Sequence, residues 1–379
     1  MRAFVYTDKS LERYAGRFVW LSVNTEDAKN AAFLAKHKIP ALPTLMVIDP
    51  KSESVALRYV GGATVPQLRK LLEDAEGTYR ARSMSSADSL LAKGDKLAGE
   101  GKNPEALKAY EEALRTAPKG WRRHGRASES FVLTLALAGD DERCASEALK
   151  LVPRLGSTVS GANVASTGLG CLASLDPAKR TKHAEEMAVL EKLTRQALAD
   201  PKLQISDDDR SGLYMTLIGA REAMKDEEGA KKLRLDWIAF LEAAAGAAKT
   251  ADQRAVYDSH RLTAYLELGT PEKAVAMLEQ SERDLPDDYN APARLAIAFR
   301  ELKKYDESLA AYERALARVS GPRTLTILTG RADTFAAKGD KEMAKKAIAE
   351  AVAFAKALPE GQRSERRIAA LEKRLAGME

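Results

Sequence analysis

Residues 87–118, ADSLLAKGDKLAGEGKNPEALKAYEEALRTAP, decide how most of this chain folds. Small residues at Gly94 and Ala106 let two helices touch, and Tyr110 fills the gap beside them. Pro118 ends the second helix, because proline lacks the backbone N–H that a helix interior requires. The stretch therefore predicts a helix, a short turn and a second helix that packs against the first.

The same spacing returns three times towards the C-terminus. The helix-contact positions Ala274, Ser308 and Ala344 follow one another at intervals close to 34 residues. This period, with its small residues at fixed offsets, resembles the tetratricopeptide repeat (TPR). The resemblance implies an all-α TPR-type helical solenoid at 87–361, clear at 87–118, 255–286, 289–320 and 325–356, degenerate at 120–250, and followed by a C-terminal capping helix at 362–379.

The first 80 residues follow a different pattern. The apolar runs at 18–23 and 45–48 predict buried strands, and the alternation at 54–60 predicts a third strand. A helix is predicted between the first two strands. Thr64 and Gln67 have the spacing of a capping box, which predicts a second helix after the third strand. The expected order is β-α-β-β-α.

This order resembles the C-terminal part of the thioredoxin fold, and the segment Leu42-Pro43-Thr44 resembles the cis-proline loop of that family. The resemblance implies a cis Leu42–Pro43 bond, and it makes Leu42, Pro43 and Thr44 the expected substrate- or peptide-binding residues. An ordinary turn-to-strand proline is the alternative. The expected fold is thus an α+β partial thioredoxin-like domain at 1–79, a polar linker at 80–86, and the TPR solenoid.

The CxxC pair of the thioredoxin family is absent from this chain. The family implies thiol–disulfide exchange or a role in protein folding, with the repeats recruiting the client. Without a nucleophilic cysteine we expect no catalytic residue, no cofactor and no redox activity from the chain as given. The alternative is a non-catalytic protein–protein interaction scaffold. An upstream CxxC segment would make the protein disulfide-oxidoreductase-like.

The central strand that precedes this part of the thioredoxin fold is also missing from the sequence as given. A start upstream of Met1 is the favoured explanation, and a remnant covered by the helical domain is the other. We expect a cytoplasmic protein as given, or one of the periplasm or cell envelope if an upstream signal segment exists. The chain contains no apolar run of 18 residues, so no membrane span is predicted.

Cysteine and histidine are sparse in this sequence. Cys144 and Cys171 are predicted to be small buried hydrophobes, with a disulfide between them as the alternative. The four histidines lack metal-ligand spacing, so no metal site is predicted. Phosphate-loop, HExxH and GxSxG motifs are also absent.

The net charge is only +5, from 60 basic and 55 acidic residues, which argues weakly for acidic partners and does not suggest nucleic acid. Protein or peptide partners are expected in the groove of the repeats. One dense basic cluster could grip an acidic peptide or a nucleic-acid backbone, although a solvated surface is the commoner role of such a cluster. It comprises Lys119, Trp121, Arg122, Arg123 and Arg126.

Overall fold

A computed structural model describes Met1, residues 3–80 and residues 85–378. These residues form two compact units. Unit 1 consists of Met1–Ala15 and His37–Arg234, and unit 2 consists of Gly16–Lys36 and Leu235–Glu379. Most of the expected linker at 80–86 lies outside the described residues.

Helices dominate the described part of the chain. The two strands are β1 (Thr44–Ile48) and β2 (Val55–Val60), and short 3-10 helices lie at Lys9–Tyr14, Ala28–Asn30, Gly321–Arg323 and Glu360–Gln362. The α-helices are α1 (Ala31–Lys36), α2 (Val65–Arg80), α3 (Ser86–Gly99), α4 (Asn103–Thr116), α5 (His124–Ala138), α6 (Asp141–Leu155), α7 (Val159–Ser174), α8 (Pro177–Lys182), α9 (Ala184–Ala199), α10 (Asp207–Ala223), α11 (Glu227–Ala247), α12 (Ala251–Ala255), α13 (Asp258–Glu267), α14 (Pro271–Asp284), α15 (Asn290–Glu301), α16 (Tyr305–Leu316), α17 (Thr324–Lys338), α18 (Lys341–Ala357) and α19 (Glu365–Ala376).

The two strands of unit 1 form an antiparallel hairpin. Their register pairs Thr44 with Val60, and the Gly61 amide donates to the Pro43 carbonyl at 2.9 Å. The strands predicted at 45–48 and 54–60 are therefore confirmed. The capping box is confirmed as well, because the Thr64 amide donates to the Gln67 side chain at 2.7 Å and α2 follows.

The strand predicted at 18–23 is wrong. The segment has no regular secondary structure, and among the described residues β1 and β2 pair only with each other. The apolar side chains of Val19 and Leu21 are 88% and 81% exposed. An apolar run becomes a strand only when a partner edge satisfies its backbone groups, and this segment has none beside it.

The first helix pair of unit 1 packs across a glycine. A Cβ at Gly94 on α3 would overlap the ring of Tyr110 on α4, so only glycine admits the ring there. The Tyr110 hydroxyl then donates to the buried carboxylate of Asp95 at 2.9 Å, and Arg126 on α5 pairs with the same carboxylate at 2.5 Å. One glycine thus allows three successive helices to meet.

Repeated helix pairs also build unit 2. Ala274 and Ala344 are fully buried at the predicted contact positions. The third such position, Ser308 on α16, donates its hydroxyl to the Ala296 carbonyl of α15 at 2.7 Å. A small residue at each position brings neighbouring helices close together, as the repeat spacing predicts.

The N-terminal segment (residues 16–36) belongs to unit 2 and contacts its C-terminal helices. The Glu26 carboxylate accepts from the Arg323 amide at 2.7 Å, and the Gln362 side chain donates to the Thr25 carbonyl at 2.8 Å. Gly361 leaves no room for a Cβ beside the Ala31 carbonyl. These three contacts hold the segment against the 3-10 turns that precede α17 and α19.

The two cysteines form a disulfide, which corrects the prediction of two separate buried thiols. Cys144 lies on α6 and Cys171 on α7, with a Cα–Cα distance of 6.3 Å that suits a disulfide. Both residues are buried. The sequence could not establish this pairing, because it depends on α6 and α7 packing side by side.

None of the helices in the described ranges has the length and hydropathy that a membrane crossing requires.

We expect Gly94→Ala to destabilise unit 1. The added methyl would overlap the Tyr110 ring, and overpacking costs about 1–3 kcal/mol, more than the gain of about 1 kcal/mol in helix propensity. Gly219→Ala on α10 is the matched control, because its Cβ would meet no atom within 4 Å. Urea denaturation should show the first variant less stable than wild type and the second slightly more stable. Equal stability of the two variants would contradict this packing.

Reduction of the disulfide should lower the stability of the chain. The bridge closes a loop of 27 residues, and the chain-entropy model gives such a loop about 3–4 kcal/mol. Dithiothreitol should therefore lower the melting temperature of the wild type. The control is the double variant Cys144→Ala/Cys171→Ala, which should melt at the lower temperature with or without the reductant.

Candidate functional site

A cavity of about 240 Å³ lies within unit 1, where four elements meet. β2, α5, α7 and α10 each contribute polar side chains to its wall. Because these elements are far apart in sequence, the cavity exists only in the folded unit. Its lining includes Arg58, Tyr59, Glu129, Ser130, Asn163, Ser166, Asp208, Asp209 and Thr216.

Glu129 on α5 is half-buried, and its carboxylate is held by neutral donors. It accepts hydrogen bonds from the Ser160 hydroxyl and, at 2.9 Å, from the Asn163 amide. Burial raises the pKa of Glu129, although these two donors and the charge of Arg126 oppose the shift. The carboxylate therefore lies in the cavity wall with no ion pair of its own among the described residues.

Asp209 lies in the first turn of α10, where Ser206 caps the helix. The Asp209 amide donates to the Ser206 hydroxyl at 3.0 Å. Burial raises the pKa of Asp209 to about 7, and the neighbouring carboxylates of Asp208 and Glu129 add to the shift. Its Oδ2 is buried and has no hydrogen-bond partner within the part of the chain that the structure describes. Such an atom costs free energy until a donor reaches it.

Arg58 on β2 brings a cation into the same wall. The residue is only 7% exposed, and within the described ranges its Nε has no hydrogen-bond partner. Burial lowers the pKa of Arg58, while the charges of Tyr110 and Asp95 act in the opposite direction. The cavity thus combines a buried donor without an acceptor at Arg58 and a buried acceptor without a donor at Asp209.

The predicted peptide-binding loop lies next to this cavity. The Leu42–Pro43 bond is cis, as the resemblance implied. Thr44 donates its hydroxyl to the Ala41 carbonyl at 2.6 Å and pairs with Val60, which lines the cavity. The Leu42 side chain is 56% exposed. The structure therefore places Leu42, Pro43 and Thr44 at the end of the hairpin that borders the cavity.

The predicted basic cluster is divided between internal contacts and solvent. Trp121 and Arg123 both donate to the Asp88 carboxylate, at 2.9 and 3.0 Å, and Arg126 pairs with Asp95. Lys119 and Arg122 are exposed. Three of the five side chains therefore help to join α5, and the turn that precedes it, to α3.

Sequence reasoning missed Arg58, Glu129 and Asp209. The run Asp207-Asp208-Asp209 after Ser206 carries a signal, but it is the ordinary signal of a helix start, where acidic residues favour the helix dipole. In the described ranges no group of three or more His, Cys, Asp or Glu residues has the arrangement that holds a metal ion.

Comparisons with known proteins identify the repeats. A family model described as tetratricopeptide repeat matches residues 288–357, which span α15 to α18. The chain therefore carries TPR repeats. No curated protein matches the sequence.

Several solved TPR structures are similar to this chain at low identity. A tetratricopeptide repeat protein from Parabacteroides merdae is 12% identical, covering 77% of this chain and 99% of its own, with a TM-score of 0.45. The TPR2AB domain of yeast Sti1, solved as a complex with pHSP90, is 14% identical over 76% of this chain and 98% of its own, with a TM-score of 0.28. A thermophilic TPR protein of Thermus thermophilus is 16% identical over 77% of this chain and 98% of its own, with a TM-score of 0.25.

We expect Asp209→Asn to stabilise the protein in a pH-dependent manner. A carboxyl whose folded pKa is raised, here from 3.8 to about 7, destabilises the fold increasingly as the pH rises from about 4 to 7. The variant should therefore melt above wild type at pH 8, and the difference should vanish near pH 4. Differential scanning calorimetry at pH 4 and pH 8 measures the difference in melting temperature between the variant and the wild type. Asp207→Asn, on the same turn but outside the cavity lining, is the control, and at pH 8 Asp209→Asn should melt above it.

Proposed function

We propose that this chain is a non-catalytic scaffold that binds an extended segment of a partner protein at the cavity of unit 1. The observation that carries the proposal is that two residues lining one cavity, Arg58 and Asp209, each have a buried polar atom without a partner in the described part of the chain. A bound polypeptide has both a donor and an acceptor at every peptide bond. The TPR repeats support the same class of function, because helical repeats present concave surfaces to protein partners.

The size of the cavity favours an anchored segment over an enclosed small molecule. Its volume of about 240 Å³ lies below the ~300–1,000 Å³ typical of small-molecule sites. That space accommodates one large side chain while the rest of the segment lies outside. The exposed Leu42 and the hairpin end beside the cavity offer further contact along the segment. We therefore also propose Leu42, Pro43 and Thr44 as part of the binding surface.

The proposal includes no thiol–disulfide exchange. That chemistry needs an accessible thiolate, and Cys144 and Cys171 are joined to each other inside packed helices. The cis-proline loop then serves as a binding surface alone. Its border with the cavity supports this role, because the main chain at Pro43 and Thr44 continues directly into the hairpin whose second strand lines the cavity.

Filling the cavity should abolish binding. Ser130 on α5 lines it, so Ser130→Trp should weaken binding of a selected peptide at least tenfold. The control is Leu137→Trp on the same helix, because Leu137 is exposed and outside the lining. Peptides selected from an acetylated, amidated octapeptide library on the full chain provide the ligand for fluorescence anisotropy. A library that yields no binding peptide, or equal binding to both variants, would refute the scaffold at this site.

A further inference from the structure

We propose that the cavity of unit 1 selects a basic side chain, lysine or arginine, of the bound segment. The inference rests on the proposed scaffold function and names the chemistry that the segment must carry. Glu129 and Asp209 in the cavity lining receive the charge of that side chain, and Arg58 in the same lining donates to a backbone carbonyl of the segment.

The charges around the cavity favour a cation. Its lining contains three carboxylates, those of Glu129, Asp208 and Asp209, against the single guanidinium of Arg58. The charge of Arg58 interacts with Tyr110 on α4 and Asp95 on α3. It therefore does not neutralise the carboxylates of the cavity. A ligand that brings positive charge therefore relieves the repulsion, while an anionic ligand adds to it.

The hydrogen bonds around the carboxylates lead to the same conclusion. Glu129 receives only the neutral donors Ser160 and Asn163, and the nearby Arg126 is already paired with Asp95. Asp209 Oδ2 has no donor in the described part of the chain. A lysine ammonium offers three N–H donors and an arginine guanidinium offers five, so either can satisfy Oδ2 and restore the ionised carboxylate.

The ordinary role of acidic residues at a helix start explains Asp207 and Asp208 but does not explain the burial of Asp209. Asp207 and Asp208 are exposed, and their charges favour the helix dipole of α10 at little cost. Asp209 gains the same benefit but also has a buried, unpartnered oxygen. A helix start does not require that burial. The contrast makes Asp207 a matched control for Asp209.

A metal ion fits this cavity less well than an organic cation. The described residues hold no group of three or more acidic, histidine or cysteine ligands in suitable geometry. Ser166 and Thr216, which bond each other at 3.0 Å across α7 and α10, leave the wall neutral on that side. Two carboxylates beside neutral hydroxyls suit the end of a long basic side chain, whose methylene stem packs against Tyr59 and Leu213.

The experiment is selection from the library of acetylated, amidated octapeptides on the full chain, in which no free terminus supplies a charge. We expect the enriched peptides to carry lysine or arginine at one fixed position. Replacing that residue by norleucine should weaken binding at least tenfold in fluorescence anisotropy. Asp209→Asn should weaken it about tenfold at pH 8 with the melting temperature unreduced, while Asp207→Asn stays within twofold of wild type.

The pH dependence gives a second readout of the same site. The titratable or charged residues that line the cavity with Asp209 are Asp208 on its own helix, Glu129 on α5, and Arg58 and Tyr59 on β2, while α7 contributes none. Because Asp209 ionises with a pKa of about 7, binding of a basic peptide should tighten about tenfold from pH 6 to pH 8. Asp209→Asn should remove most of that change.

The outcomes separate this inference from the scaffold proposal. Selected peptides without a basic preference, or with an acidic one that binds tighter at pH 6, would overturn the inference and leave the scaffold standing. The same holds if Asp209→Asn and Asp207→Asn weaken binding equally. A library that yields no binding peptide overturns both proposals.

Discussion

Close approach of helices across small residues is the constraint on which this structure depends. Tyr110 packs over Gly94 in unit 1, and in unit 2 a Cβ at Gly330 would overlap Tyr312. Gly168 plays the same part between α6 and α7, beside the disulfide that links those helices. A side chain on one helix can pack directly against the backbone of a neighbouring helix only where that neighbour carries glycine or another small residue. The spacing of such residues sets where each helix of a repeat can lie, and the cavity is one product of that stacking.

How much of the fold the sequence predicts depends on how local each signal is. The spacing of Gly94 and Tyr110 predicts a helix pair because both partners lie within one repeat. The alternation at 54–60 predicts a strand whose partner, β1, lies just before the same short turn. The run at 18–23 has equally good strand composition, but a strand also needs an edge to pair with, and a sequence does not show whether that edge exists. The disulfide depends on α6 and α7 being neighbours, which spacing alone does not establish.

The candidate site is the least local feature and was the least predictable. Arg58, Glu129 and Asp209 come from a strand and two helices, and only folding brings them to one cavity. Each also has an ordinary interpretation by itself, as a strand residue, a surface glutamate or a helix start. What distinguishes Arg58 and Asp209 is a buried polar atom without a partner among the described residues, and what distinguishes Glu129 is a carboxylate held only by neutral donors. Both are properties of the folded unit. Such unpartnered groups lower the stability of the fold, because each loses its hydrogen bonds to water without gaining another.

The contacts of the N-terminal segment have a consequence for biosynthesis. Glu26 bonds Arg323 across 297 residues of sequence, and Thr25 bonds Gln362 across 337. At ribosomal rates of about 5–20 residues per second, the first of these partners follows the segment out of the ribosome after roughly 15–60 s. During that interval Glu26 has no Arg323 to accept from. The contacts that hold the segment in unit 2 can therefore form only after residues 323–362 have been synthesised.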